Sequence, residues 1–546
     1  MSGHHDEAEA ASRVRLWPLG LAQFCGITAL FTHVALTSVV AQTWIDAAAN
    51  VTITTHGADG HDNVTTGAHP DAIPRGVATL PLSVLILCSA IAIPPAGWVM
   101  QHVGYRKVFY AGTLLGALSG GLCILAVVLH DDGTLSPVGS FVLLAAAIVP
   151  QGVAYGIVHY YRHVAAVVGK LAAARDGLTA TQATARAVAV VISSGALAGV
   201  VGPGLADLCN GMIPNYRFAG SYGALIVVSF MHTAVLCLTD VDAAFGPAAP
   251  PASPAATAGS GGTASHTPLL VASGSAGGSV VNNGSIDEKP PAPPAPPPPR
   301  PLREIVTSAP FATAMLTAMA AHGCMVAQMG VAPLLLHGKV TFTASSAVIQ
   351  VHVLCMYLPS FGTSKLIARF HTAAVIVAGL VLGVAGAGVL LLAGERPNLG
   401  NDDRDASSPP WGYYAMVMAC LVLVGLGWNL AFVAATTAVA GAYQASEKFK
   451  AQSVNDFCVF GFGSMMTLLA GPILEKFHLR VVAVAALVIY GVAILGNIPS
   501  VLQHRRDAAR AASASAAAAG STEPDPRTPA EELPTSHKSL GGEADK

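Results

Sequence analysis

The feature that most constrains this chain is the recurrence of apolar stretches, each long enough to cross about 30 Å of hydrocarbon as a helix. Twelve such segments are readable, separated by short polar loops. Segments 1 to 6 run from Leu16 to Ile45, Val77 to Met100, Val108 to Leu129, Gly139 to Tyr161, Ala187 to Leu208 and Ser221 to Leu238. Segments 7 to 12 run from Ile305 to Leu336, Ala344 to Ser364, Thr372 to Ala393, Tyr413 to Tyr443, Ser453 to Leu474 and Val481 to Leu502. The pattern predicts an all-α integral membrane protein whose twelve transmembrane helices form two six-helix, pseudo-symmetric halves. The first segment is too long for a signal peptide, and no small-residue cleavage site follows its apolar part, so it counts as a span.

Composition narrows the function. Only 11% of residues are charged, against about 25% in soluble proteins, and mean hydropathy is +0.57. Soluble dehydrogenases, kinases and nucleic-acid binders are disfavoured. A net charge of -2 offers no basic face for a phosphate backbone, so no nucleic-acid partner is expected. The nine cysteines show no CxxC pair and no metal-ligand spacing. No metal and no cofactor is therefore expected.

Residues 1–15 form an N-terminal extension, 16–238 the first half and 305–502 the second. Between the halves, 239–304 is rich in Ala, Gly, Ser and Pro and buries too little apolar surface to fold, which predicts a disordered linker. Its end, Pro290 to Pro301, holds nine prolines in twelve residues. Such a run favours polyproline II, as a stiff spacer first and a docking peptide for a partner second. The tail, 503–546, has the same low-complexity character and predicts disorder.

Sorting the 28 Lys and Arg by loop places 21 on one side and 7 on the other. The positive-inside rule then puts both termini and the linker in the cytoplasm. The sequons at Asn50 and Asn63 fall in the first outer loop and are expected to be glycosylated, whereas the one at Asn283 lies in the linker and is not. The chain is expected in the plasma membrane rather than an organelle membrane.

The halves echo each other, with Gly202-Pro203 near the outer end of segment 5 and Gly471-Pro472 at the matching place in segment 11. Two parallel six-helix halves are the plan of major facilitator transporters. Between segments 2 and 3, Gly97, Gly104, Arg106 and Lys107 resemble that superfamily's cytoplasmic loop signature, although Gln101 stands where its aspartate belongs. Gly195, Gly199, Gly202, Pro203 and Gly204 resemble a glycine-proline signature discussed for antiporters, and read first as close helix packing. The run Gly425 to Asn429, then Glu447, Gln452, Asn455, Asp456, Phe457 and Gly461, resembles a little-characterised, mostly bacterial branch of the superfamily. So does the segment from Gln350 through Pro359 to Phe370. The resemblance implies a cavity near the midplane, lined by segments 1, 4, 7 and 10.

Ionisable groups in a bilayer normally face a cavity or a partner. Asp456, with Gln452 and Asn455 beside it, reads either as a carboxyl that takes up and releases a proton or as a lock pairing with Arg162 or Arg106. Gln151, Tyr155, His159 and Arg162 recur along segment 4, and Gln23, His33 and Thr37 along segment 1. His322 and His352, near mid-segment, join His159 and His33 as candidate proton relays, each also readable as packing. Trp428 and Asn429 offer a flat apolar face and an amide.

These residues predict secondary-active transport of a small organic solute by alternating access, coupled to protons. A non-transporting sensor or receptor with the same fold is the alternative. A membrane-embedded enzyme ranks below both, since no nucleophile-base pairing is readable. Apart from Arg162 the cavity segments lack cations, which disfavours phosphates and dicarboxylates and favours a neutral or weakly cationic ring-bearing solute such as a vitamin or nucleobase.

Overall fold

The computed structural model describes residues 16–49, 51–56, 62–67, 73–173, 176–177, 180–244, 298–394, 411–444 and 447–520. The first half comprises α1 (Leu16–Ala49), α2 (Leu80–Val103), α3 (Tyr105–Asp131), α4 (Pro137–Ala147), α5 (Val149–Val158), α6 (Tyr161–Ala172), α7 (Ala180–Leu208) and α8 (Ala219–Cys237). The second comprises α9 (Leu302–Thr307), α10 (Ala309–Leu336), α11 (Phe342–Tyr357), α12 (Ser360–Phe370), α13 (Thr372–Ala393), α14 (Trp411–Gly441) and α15 (Lys448–Gly520). A helix satisfies its backbone polar groups internally, which hydrocarbon demands.

Among the described residues ten helices are long and apolar enough to span a membrane, or eleven if α11 and α12, bent by 45°, count as one span. The difference from the expected twelve lies in two places. Pro359 opens the bend between α11 and α12, and α15 turns within its length at His478, whose φ is 69°. Segment 4 extends to Ala172 and is broken twice, at Ile148 and at His159–Tyr160. Pro150 lacks the N–H that would carry the helix through the first break.

One departure from an all-helical chain lies between α1 and α2, where β1 (Val51–His56) and β2 (Asp62–Gly67) pair antiparallel with Val51 opposite Gly67. Its Val, Ile and Thr content suits a strand, a signal the apolar-segment reading passes over. Asn63 lies in β2, whereas Asn50 and Asn283 lie outside the described residues, as does the expected disordered linker over 245–297.

Large apolar side chains such as Leu114, Leu118, Leu197 and Phe230 are more than half exposed, as a bilayer-facing belt requires. In α1 and α10, by contrast, 94% and 89% of the most apolar window is buried, which makes them enclosed helices of the bundle. The halves meet along two seams. On one, Gln350 of α11 donates to the Val200 carbonyl of α7 at 2.9 Å. On the other, Ser464 of α15 donates to the Ser83 carbonyl of α2 at 2.8 Å.

Compact packing defines two units, residues 1–496 and 497–546. In the second, the described residues to Gly520 are helical, where the sequence pattern predicts disorder from 503. The alanine-rich stretch has high helix propensity.

Candidate functional site

Around the break between α5 and α6, one face of this helix meets the second half. On that face the Tyr155 and His159 rings lie 4.5 Å apart. Phe460 of α15 meets them from across the halves, 4.4 Å from His159 and edge-on to Tyr155 at 6.4 Å. His322 of α10 is edge-on to Phe460 at 4.9 Å. Trp428 of α14 donates its indole N–H to His322 Nδ1 at 3.3 Å and stacks on Phe432 at 4.7 Å and 12°. Tyr357 of α11 stands edge-on to Trp428 at 5.9 Å and to Phe31 of α1 at 6.3 Å. One continuous cluster of rings therefore draws on both halves.

One turn from His159, toward the face where the linker joins, Arg162 Nη2 forms an ion pair with Asp456 Oδ2. The other carboxylate oxygen accepts from Asn455 Nδ2 at 3.2 Å. Three side-chain atoms here are buried without a hydrogen-bond partner: Arg162 Nε, Asn455 Oδ1 and His159 Nε2.

At the opposite face, which carries the hairpin, the halves are joined differently. Glu475 of α15 accepts the backbone N–H of Arg75 at 3.0 Å and of Gly76 at 2.6 Å. A Cβ on Gly471, one turn earlier, would stand 2.5 Å from Thr79 Oγ1. Asp46 at the end of α1 pairs with Arg75 at 3.1 Å and lies 3.6 Å from His337, just beyond α10. Burial lowers the His337 pKa and outweighs the raising effect of Asp46, so the imidazole is the weaker partner of that carboxylate. A cavity of about 250 Å³ opens beside this network, with Thr43, Arg217, His337 and Phe342 in its wall.

The sequence profile of the Major Facilitator Superfamily matches residues 19–459. The chain belongs to this superfamily. A riboflavin transporter, RfnT of Brucella anthropi, is 28% identical over 401 residues, which cover 73% of this chain and 80% of that protein. The crystal structure of a point mutant of the nucleoside transporter NupG superposes with a TM-score of 0.50 at 10% identity, over 89% of this chain and 99% of that one, a likeness of fold. The chain is thus a multi-pass membrane protein and a major facilitator transporter.

Within this transporter the candidate residues separate. Tyr155, His159, Arg162, His322, Trp428, Asn455 and Asp456 gather at the central cluster or beside it. Gln452 donates to Tyr443 at 2.8 Å near the linker face. Gln23 is half-buried, its Oε1 without a partner. Gln151 faces away from the second half, beside a cavity of about 20 Å³ shared with Ser229 and His232. His33 is fully buried, its Nδ1 3.1 Å from Thr37 Oγ1 and its ring against Tyr222. His352 Nδ1 meets the Leu421 carbonyl at 2.7 Å, holding α11 to α14. Asn429 is also fully buried, donating to the Met356 carbonyl at 2.5 Å and to Ser360 Oγ at 2.6 Å and accepting from Thr363 at 2.5 Å. It satisfies a carbonyl that the end of α11 leaves without a helical partner, so its amide secures the α11–α12 bend.

The loop signature has a structural explanation. Gly104 links α2 to α3 with φ at 104°, a backbone that a side chain would strain, and Gly97 is buried in α2. Asp242 Oδ1 accepts the N–H of Tyr105 at 2.7 Å and of Arg106 at 3.2 Å, capping α3. The acid at this turn is thus Asp242, from beyond α8. Arg106 itself donates to Tyr110 Oη, and Lys107 is exposed. The sequence pattern alone does not single out Phe460 and Phe432, yet each stands four residues beyond a candidate, at Asp456 and Trp428, and so on the same helix face.

Proposed function

We propose that this transporter carries riboflavin, or a flavin close to it, across the plasma membrane by alternating access coupled to protons, with both termini cytoplasmic. The observation that carries the reading is the ring cluster drawn from both halves, with Trp428, Phe432, Tyr357, His322, Phe460, His159 and Tyr155. Aromatic faces bind a flat, neutral, largely apolar heterocycle through stacking and area burial. The relative named for riboflavin transport directs the choice among such rings. Few fixed cations line the cluster, which argues against phosphates and dicarboxylates.

In this reading Asp456 couples transport to protons. Ionised, it holds Arg162 and keeps the linker face shut. Protonated, it releases Arg162, and the halves part there. The lock and the proton carrier are then one carboxyl. The charge asymmetry of the loops supports the orientation, with Asn50 and Asn63 on the outer face.

The test is riboflavin uptake into proteoliposomes containing the purified full-length protein, with and without an inward proton gradient. Saturable, gradient-stimulated accumulation without chemical conversion is the expected result. A protein that accumulates no flavin under either condition, yet is folded by thermal melting, refutes the substrate.

A further inference from the structure

We propose that Arg162, Asn455 and His159 form a hydrogen-bonding edge that reads a cyclic imide, the C=O, N–H, C=O sequence carried on one side of a flat heterocycle. The proposal rests on the reading of the central cluster as the flavin site and adds which edge of the ring is recognised.

The argument begins with the three unpartnered atoms. Arg162 Nε, Asn455 Oδ1 and His159 Nε2 are all buried, and all lie around one ion pair at the border of the ring cluster. Buried polar atoms are normally satisfied, because each one left unmet carries its full desolvation cost. Several around one ion pair mark a place built to receive a ligand's polar edge.

Their chemical sense follows from their neighbours. An ionised carboxylate only accepts hydrogen bonds, so the Asn455 amide must turn its NH₂ toward Asp456, as the 3.2 Å contact has it. Its Oδ1 is left as an acceptor, on a residue only 3% exposed. Arg162 spends Nη2 on Asp456 and keeps Nε–H as a donor. The His159 ring is held between Tyr155 and Phe460, and we take its Nε2 as a second donor, in the Nε2–H tautomer. Two donors and one acceptor complement an imide, which presents two carbonyls flanking one N–H.

The pyrimidine ring of a flavin carries such an edge, and its benzenoid end is apolar. With the imide at Arg162, Asn455 and His159, the fused rings extend over Phe460 toward His322, Trp428 and Phe432. An edge that donates where the imide accepts, as an exocyclic amine does, leaves a buried donor facing a donor. Sites that hydrogen-bond a ligand reject analogues lacking the matching group far more strongly than apolar pockets reject a change of size.

The experiment measures competition against labelled riboflavin uptake in proteoliposomes of the full-length protein. N3-methylriboflavin, which lacks the imide N–H, is expected to compete at least about 10-fold more weakly than riboflavin. An analogue altered only at the benzenoid methyl groups is expected to compete as riboflavin does. In Asn455→Leu, riboflavin is expected to fall to the affinity of its N3-methyl analogue, while the analogue's own affinity stays unchanged. Equal competition by riboflavin and N3-methylriboflavin in the wild type overturns the edge and leaves the flavin reading standing. If no flavin is taken up and none competes, both are overturned. Should Asn455→Leu fail to fold, the wild-type analogue series decides alone.

Discussion

At the linker face the halves are joined by an ion pair between two side chains, Arg162 with Asp456, whereas at the hairpin face one carboxylate, Glu475, accepts two backbone N–H groups of the opposite half. The first contact joins two side chains, the second a side chain and two backbone amides. Glu475 is a carboxylate too, but its partners are backbone N–H groups, and Gly471 fits beside them because it has no side chain. The contrast teaches that one face is joined between two charged side chains, whereas at the other a carboxylate meets backbone that only a glycine lets approach.

The largest effect is expected where shape is decisive. Gly471→Leu forces a side chain into Thr79 and the backbone of Gly76, so the hairpin face cannot close and flavin uptake should fall at least about 100-fold with normal membrane insertion. Uptake kinetics together with the amount of protein inserted in the membrane will show it. Retention of wild-type uptake would mean that this face closes without the glycine.

Asp456→Asn should abolish gradient-driven accumulation while leaving flavin exchange within a few-fold of wild type, because the amide keeps the shape and loses the titrating proton. Exchanging Arg162 and Asp456 for one another should restore closure but not coupling. Accumulation that survives in Asp456→Asn would move the coupling group elsewhere and end the charge-held reading of the linker face.

Trp428→Ala removes one ring of the cluster and should raise the KM for flavin by about 10-fold, in line with roughly 1 kcal/mol for a stacking contact plus the area it buries. Surface expression should not change. A KM unaltered by the truncation would place the flavin outside the cluster.

A second carboxylate at the linker face supplies the control. Glu447 of the α14–α15 turn accepts from Arg300 at the linker's end through Nε at 2.9 Å, Nη2 at 2.8 Å and the backbone N at 2.8 Å. Hydrogen bonding by Arg300 lowers its pKa from 4.5 to about 2. A depressed carboxylate pKa contributes stability that is fully present above the ordinary value and lost as pH falls through the lowered one. This contact is therefore constant from about pH 5 to pH 8, and Glu447→Gln should lower the melting temperature by about 2–4 °C without changing the pH profile of transport across that range. A shifted transport profile in Glu447→Gln would assign part of the pH response to this contact rather than to Asp456.

The smallest effect is expected at Arg75→Ala, below about two-fold in uptake. The arginine side chain is 45% exposed in its pair with Asp46, and such pairs contribute little. The backbone N–H that Glu475 accepts survives the substitution. A large loss would show that the hairpin face also depends on side-chain charge.

Hydropathy is a local property of consecutive residues, so the membrane class, the approximate spans and the two-half plan are legible in the amino-acid sequence alone. The expected orientation rests on the same kind of local count. The site is legible in part, because a carboxyl, an arginine and a tryptophan in apolar segments are conspicuous wherever they face. Their pairing is not. Gln151 and Tyr155 share a spacing of four, yet each such step turns about 40° around a helix of 3.6 residues per turn. Both residues lie in the unbroken α5, and there one faces inward to its own half while the other meets Phe460. Asp242 caps α3 from 137 residues beyond Tyr105, and Asn429 reaches a carbonyl 73 residues away. Composition and periodicity decide which residues leave water. Only the packing of helices distant in sequence decides which buried polar groups satisfy one another and which are left for a ligand, because a hydrogen bond depends on a few ångströms and an angle that no local pattern specifies.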